Sequence, residues 1–504
     1  MSGPDVNAPI HQSSPDSRQN QFVFATWIFL RGLAVVHLIA FGSLWVQLEG
    51  LIGPHGLLPA GNYFAAVREQ YGAAAYSQLP TLCWVFGAGT FLHVLCGAGV
   101  VLALLLFAGV APALCLALLW AAYLSLNYAG QIFFHFQWDT LLLEATLLAI
   151  FLAPWRLLPG WRAHEPPRAA RVVLWWLLFR LMFLAGVVKL ASGDPTWRDL
   201  TALTFHYETQ PLPTPLAWFA HQLPSWWHRA SCAGMFVTEL FVPLFLFSIR
   251  TLRHNAALLL IAFMAAVALT GNYTFFNLLA IVLCLLCLDD AWWRALLPRR
   301  WSGRGPLTDA KANLAPRWQR TAALPFAVLV IGYTLLQALP AIVPRVRPFE
   351  NFSRLARVVD PFRSLNSYGL FAVMTHPRPE LIFEGSEDRI EWRAYEFKHK
   401  PGALTQKPTW VAPHQPRLDW QLWFAALGSP SANPWVITLC EQLLRGNERV
   451  LALLARNPFP EKPPRFVRIV RYEYHFTDPA TRATTGHWWR RSPIDYYVPA
   501  ASLR

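Results

Sequence analysis

Val172-Val173-Leu174-Trp175-Trp176-Leu177-Leu178-Phe179-Arg180-Leu181-Met182-Phe183-Leu184-Ala185-Gly186-Val187-Val188-Lys189-Leu190-Ala191 is the stretch on which the fold turns. It is apolar for as long as a helix needs to cross the ~30 Å hydrocarbon core of a bilayer, and it carries two cations inside that length. Comparable runs occupy 22–47, 81–107, 111–130, 132–153, 231–248, 255–270, 274–288 and 322–343. Nine spans are therefore expected. The run from Arg253 to Asp289 is read as two short spans around Gly271-Asn272-Tyr273, because one helix of that length would be about 54 Å long, far more than the bilayer core.

Charge divides the chain. Residues 345–504 hold 38 charged side chains in 160, whereas residues 1–344 hold 34 in 344. Three parts are expected: a disordered polar tail over 1–21, a transmembrane helical body over 22–344, and a C-terminal α+β domain over 345–504 with an antiparallel sheet. In that last part residues 380–398 and 465–476 alternate as strands do, with a turn at Gly385-Ser386-Glu387-Asp388, and Trp488–Val498 returns as a further strand. Residues 418–427 and 434–456 have helical patterns, the second interrupted at Gly446-Asn447. About 150 residues are enough for a core of its own.

The net charge of +14 does not indicate a nucleic-acid partner, since the arginines lie in loops between apolar runs or among acids. Those loops orient the chain. Basic residues cluster at 156–171, 250–253 and 294–320, which nine spans put on one face, the cytoplasmic one. The N-terminus is then cytoplasmic, and 48–80, 192–229 and 345–504 face outside or the lumen. Asn351-Phe352-Ser353 becomes an outward acceptor sequon. The 7 cysteines form no disulfide framework, and Cys284-x-x-Cys287 lies in a Leu-rich run where small apolar packing is the simpler role.

Six charges fall within spans: Arg31, Asp139, Glu144, Arg180, Lys189 and Glu239, with His37, His93 and His135 beside them. Such residues pair or line a functional cavity. Three cations balance three acids, so three ion pairs within the spans are one reading and a polar binding cavity the other. Asp139 and Glu144 are on different helix faces, as are Arg180 and Lys189. The loop after the fifth run holds the second set of candidates: Trp197, Arg198, Asp199, His206, Tyr207 and Glu208. His206 and Glu208 have the chemistry of an acid and a base, though a solvated pair is the simpler reading. Trp197-Arg198-Asp199-Leu200 is expected to start a surface helix that Pro211, Pro213 and Pro215 end. No catalytic motif and no metal-ligand spacing is present, so no catalytic residue, metal or cofactor is assigned.

Several segments together resemble the lipase maturation factor family. They include Phe29-Leu30-Arg31-Gly32-Leu33-Ala34, Phe136-Gln137-Trp138-Asp139, Trp197-Arg198-Asp199-Leu200-Thr201, Phe205-His206-Tyr207-Glu208-Thr209-Gln210-Pro211 and Thr270-Gly271-Asn272. In the C-terminal third they include Asn366-Ser367-Tyr368-Gly369, Tyr395-Glu396-Phe397-Lys398 and Arg417-Leu418-Asp419-Trp420. The resemblance implies a polytopic, chaperone-like membrane protein that assists folding and assembly of secreted lipases and is not itself an enzyme. Its partners would be the bilayer and a secreted, lipase-like client bound at 192–229 and 345–504. The membrane would be that of the endoplasmic reticulum in animals. The 37 Arg against 6 Lys point to a GC-rich genome and a bacterial member in an inner membrane. The luminal cysteine pattern of a disulfide-handling factor is missing.

A second resemblance gives the alternative. Leu184-Ala185-Gly186-Val187-Val188-Lys189-Leu190, followed by Trp197, is similar to the lysine-bearing segment of vitamin K-dependent carboxylases. It implies a membrane-embedded enzyme with Lys189 as base. A transporter is set aside because no repeat relates the first four runs to the next four.

Overall fold

The computed structural model describes residues 21–159, 164–297, 313–342 and 350–503. The predicted tail over 1–21 lies almost wholly outside the described residues, as does most of the basic stretch 294–320. The apolar runs form α1 (Val23–Trp45), α2 (Phe91–Ala108), α3 (Pro112–Ala129), α4 (Gln137–Leu152) and α5 (Arg168–Ala191). They continue as α6 (Ser225–Leu240), α7 (Arg250–Thr270), α8 (Phe276–Leu285) and α9 (Arg317–Ile342). The turn from α2 to α3 shows the local logic. Gly109 takes the left-handed conformation at φ +85° that stops α2, and Pro112 opens α3 where its missing N–H is harmless.

Seven helical segments among the described residues are long and apolar enough to cross a membrane, or eight if α8 and the short helix Asp290–Leu296 form one bent span. Nine are not reached, for local reasons. The fourth run gives only 16 helical residues, because Gln131–Phe134 is a 3-10 turn and Phe136 is extended before α4. The eighth run bends by 102° where Asp289 caps the next helix. The second run breaks at Gly87, with φ +79°, so α2 begins only at Phe91. The seventh, expected to be short, starts at Arg250 and has 21 residues.

Polar side chains fasten the two ends of the bundle. At one end the first N–H groups of α1 would be orphaned. Asp290 accepts from Val23, Phe24 and Ala25 at 2.9, 3.0 and 3.1 Å, and Glu165 accepts from Phe22 at 2.9 Å. Arg171 donates to Glu165 at 2.9 Å, and Arg250 Nε to Asp289 at 2.6 Å. At the other end of α1, Ser43 Oγ accepts from Gln415 N at 2.9 Å and Gln47 Oε1 from Arg417 N at 3.0 Å. The C-terminal third therefore lies at the end of the bundle opposite this cluster of arginines and acids.

That third holds β1 (Pro379–Ser386), β2 (Arg393–Ala394), β3 (Glu396–Phe397), β4 (Leu454–Arg456), β5 (Phe466–Phe476) and β6 (Trp489–Ala501). The main sheet is antiparallel in the order β2-β1-β5-β6, and β3 pairs with β4. Register runs from Pro379 opposite Glu473 to Ser386 opposite Phe466. Pro493 and Pro499 are tolerated because β6 is an edge strand. The expected turn at 385–388 falls later, at 387–392, where Asp388 Oδ1 accepts from Ile390 N at 2.8 Å and Glu391 N at 2.9 Å. Helices α10 (Arg417–Ala426) and α11 (Trp435–Leu444) complete it.

The core is shared. Leu381, Phe383, Trp420 and Leu422 are buried in the same apolar cluster as Phe133, Phe136 and Trp138 of the helical body. The Trp420 ring lies 4.8 Å from Trp138, edge to face.

Candidate functional site

The buried acids explain how the two parts are joined. Asp139, at the start of α4, accepts from Arg417 Nη2 at 2.9 Å, Arg417 Nη1 at 3.1 Å and Tyr123 Oη at 2.5 Å. Glu144 faces elsewhere. One of its oxygens accepts from Arg180, and the other from Tyr368 Oη at 2.6 Å and Asn366 N at 3.1 Å. Arg180 in turn donates to Asn366 O at 2.7 Å. Lys189 Nζ reaches both oxygens of Glu239 at 2.8 Å and Ala185 O at 3.3 Å. Asp139, Glu144, Arg180, Lys189 and Arg417 are under 5% exposed, and Glu239 is at 6%. A charge in that setting is tolerable only when its lone pairs or protons are taken up.

Of the three pairs within the spans that one reading offered, two are found. The cation for Asp139 comes from the C-terminal third, and Arg31 has no acid partner among the described residues. Arg31 lies 4.4 Å from the Trp27 ring and lines a separate cavity of about 260 Å³ with His164 and Gln319. His37 Nε2 stands 2.8 Å from Thr146 Oγ1.

The 192–210 loop is folded against this junction rather than solvated. Asp194 caps the single turn Pro195–Arg198 through Thr196 N at 2.8 Å and accepts from Met374 N at 2.6 Å. Trp197 is buried, and its indole donates to Phe371 O at 3.1 Å. The helix expected to begin at Trp197 stops after that turn, where Leu200 takes φ +59°, and resumes as Leu203–Thr209. Pro215 opens a further helix, Pro215–His221, instead of ending one. Arg378 caps the end of Leu203–Thr209 by donating to the carbonyls of Glu208, Gln210 and Pro211, while Glu380 accepts from it at 2.9 Å.

His206 and Glu208 do not form a solvated pair. Glu208 points at the sheet, accepting from Phe476 N at 3.0 Å with His475 Nδ1 at 3.2 Å. His206 points the other way, 3.1 Å from Tyr273 Oη, which donates to Gln210 Oε1 at 2.9 Å. The phenol hydrogen is thus spent on Gln210, and His206 Nε2 is the donor. Burial and the nearby Lys189 ammonium push His206 down to about 4. Arg198 and Asp199 are exposed.

Lys189, Glu239, Trp197, His206 and Tyr207 share one space. A cavity of about 590 Å³ lies between α5, α6 and α7, roofed by the loop and by Tyr368–Phe371. Residue-by-residue reading missed Tyr273, Tyr368, Arg378 and Arg417 as site residues. Tyr368 and Arg417 do stand in the Asn-Ser-Tyr-Gly and Arg-Leu-Asp-Trp segments; the signal available was an Arg and a Tyr in otherwise apolar, non-alternating runs. Arg378 carried no signal. Among the described residues no group of three or more His, Cys, Asp or Glu is placed to hold a metal.

Comparison with known proteins covers nearly the whole of this arrangement. The profile of the lipase maturation factor transmembrane domain matches residues 24–295, and that of the lipase maturation factor C-terminal domain matches residues 364–499. A lipase maturation factor 2 of Homo sapiens is 37% identical over an alignment of 590 residues, covering 94% of this chain and 82% of its own length. A lipase maturation factor 1 of Bos taurus is 36% identical over 522, covering 96% of this chain and 90% of its own. No solved structure matches.

Proposed function

The chain belongs to the lipase maturation factor family, and on that premise we propose that it is a multi-pass membrane protein that helps secreted lipases reach their folded, active form. It is a maturation factor and not an enzyme. The observation that carries this reading is the relatives' shared name over nearly the full chain, in a protein whose outer loop and C-terminal third are locked onto one bundle end. The carboxylase alternative finds no support among the relatives. Lys189 Nζ also donates to three acceptors, so no lone pair is turned to the cavity. In this reading residues 22–344 are the membrane body, and its 192–229 loop with residues 345–504 is the part that meets the client. Ile390 at 81% and Trp410 at 54% exposure are apolar contacts available there, and Arg198 and Asp199 are the polar ones. Removing the chain from a cell that secretes a lipase should leave secreted lipase protein with little activity per molecule, and restoring the chain should recover it. Unchanged specific activity in its absence would overturn the proposal.

The orientation has the N-terminus cytoplasmic and the C-terminal third outside, in the endoplasmic reticulum membrane of a eukaryotic cell or the inner membrane of a bacterium. It is supported by Arg171, Arg250 and Arg253 gathered at the end opposite the C-terminal third. Protease added to right-side-out vesicles should cut within 345–504 and spare the 292–320 loop. Cutting of 345–504 in inverted vesicles alone would reverse the assignment.

A further inference from the structure

None of the client contacts proposed above, Arg198, Asp199, Ile390 and Trp410, lines the cavity between α5, α6 and α7. Three of the 5 methionines of the chain, Met182, Met235 and Met264, line it, and such side chains adapt to flexible apolar ligands. Its volume of about 590 Å³ falls in the range of small-molecule sites. Its charged pair, Lys189 and Glu239, stands with the His206–Tyr273 bond. Lys189 is near the C-terminal end of α5, with His206 and Tyr273 beside it, whereas Leu181 and Met182 are about two turns further into the bundle. From Leu259 to Thr270 the α7 wall runs about 16 Å at 1.5 Å per residue.

The mouth is on the side of the bundle. Gly234 on α6 and Leu259 and Ala266 on α7 line the cavity and are also exposed. Both helices belong to segments apolar enough to span a membrane, so the opening faces hydrocarbon and not water. The charge in the cavity is already balanced, since Lys189 holds both oxygens of Glu239. An anionic head would have to displace Glu239, while hydroxyl and ester groups can share the edges of the pair and the His206–Tyr273 bond.

We propose that this cavity binds one molecule of an uncharged single-chain lipid, of the monoacylglycerol class, which enters from the bilayer between α6 and α7. Its hydroxyl and ester head lies at Lys189, His206 and Tyr273, and its acyl chain runs along Met182, Phe263 and Met264. The proposal does not depend on the identity of the client.

The test uses the purified full chain in phospholipid nanodiscs with a monoacylglycerol bearing a diazirine in its acyl chain. Saturable labelling is expected at Met182, Met235 or Phe263, competed by unlabelled monoacylglycerol. Gly234→Trp plugs the mouth, and a side chain there meets open space, since nothing lies within 4 Å of an added Cβ. It should lower labelling at least about tenfold, the factor that 1.4 kcal/mol of binding carries. Gly332→Trp on α9, also in open space, should leave labelling unchanged. Labelling that does not saturate, spreads evenly over the outer helices, or persists in Gly234→Trp overturns the site. Stronger competition by a fatty acid overturns the uncharged head, and stronger competition by a two-chain diacylglycerol overturns the single chain. Competition on the unsubstituted chain decides the matter even if Gly234→Trp does not fold.

Discussion

Glu239 and Lys189 neutralise each other between α5 and α6, so their loss is not additive. Removing one partner strands a buried charge at a cost of about 3–5 kcal/mol, while replacing both with apolar groups of similar volume is close to neutral. Glu239→Leu alone should therefore deplete the protein in membranes, and Glu239→Leu with Lys189→Met should restore its level and its melting temperature in detergent. Equal depletion in both variants would mean the pair does more than balance itself. His206 titrates where this coupling can be read. Its folded value of about 4 lies below the ordinary 6.5, so the unfolded chain takes up the proton first as pH falls. The stability it contributes is complete above pH 6.5 and is lost as pH falls through that interval toward 4. His206→Gln keeps a donor for Tyr273 and should shrink the drop in melting temperature between about pH 7 and pH 5; an unchanged drop would assign it to other groups. The span charges could be picked out by residue type alone. Their partners could not, because Arg417 is 278 residues from Asp139 and sits in a stretch whose composition looks soluble.

Elements differ in how much of them the sequence discloses. β5 alternates, with Val467 and Ile469 buried on one face and Tyr474 and Phe476 on the other, so its pattern identified it, and α5 is a single apolar run. Breaks were hidden, since the 3-10 turn before α4 and the bend after α8 arise from Gln131 taking a positive φ and from Asp289 capping against Arg250. The 192–210 loop was visible as a charge-rich insertion, but not the division of labour inside it. Trp197 and Glu208 anchor the loop to 371 and 476, while Arg198 and Asp199 face outward. Trp197→Ala should cost about 3–5 kcal/mol and Glu208→Ala, which strands the Phe476 N–H, about 1–3 kcal/mol, so both should lower protein level. Arg198→Ala and Asp199→Ala should leave the level within experimental error and reduce lipase maturation. Quantitative membrane immunoblots beside lipase specific activity separate the two classes, and normal maturation by both outward variants would remove them from the client surface.

At the scale of the molecule, the charge step near residue 345 reads as a boundary between a membrane body and an independent domain, yet the interior does not respect it. Arg378 and Arg417 are both buried in the C-terminal third, and each donates to the part before it: Arg378 to the carbonyls of Glu208, Gln210 and Pro211 besides Glu380, Arg417 to Asp139 and the Phe133 carbonyl. Asn272, from the turn after α7, accepts from Val411 N at 2.8 Å and Ala412 N at 3.0 Å. The sheet's second apolar cluster is likewise mixed, with Tyr474, Phe476 and Trp489 packed on Ala217 and Trp218 of the helix Pro215–His221. Cutting the chain at 363 would take Asp139 from Arg417, leave Arg378 with Glu380 but without its three carbonyl acceptors, and expose the faces of Trp420 and Trp489 together. Residues 364–504 produced alone should therefore collapse without fixed packing, with strand signal in the far ultraviolet, dye-accessible apolar surface and no cooperative thermal transition. Co-expression with 1–363 in the same membrane should rescue it as a stable complex. A monodisperse fragment that melts cooperatively on its own would mean that the third folds first and docks afterwards, and that Arg417 finds a partner within it.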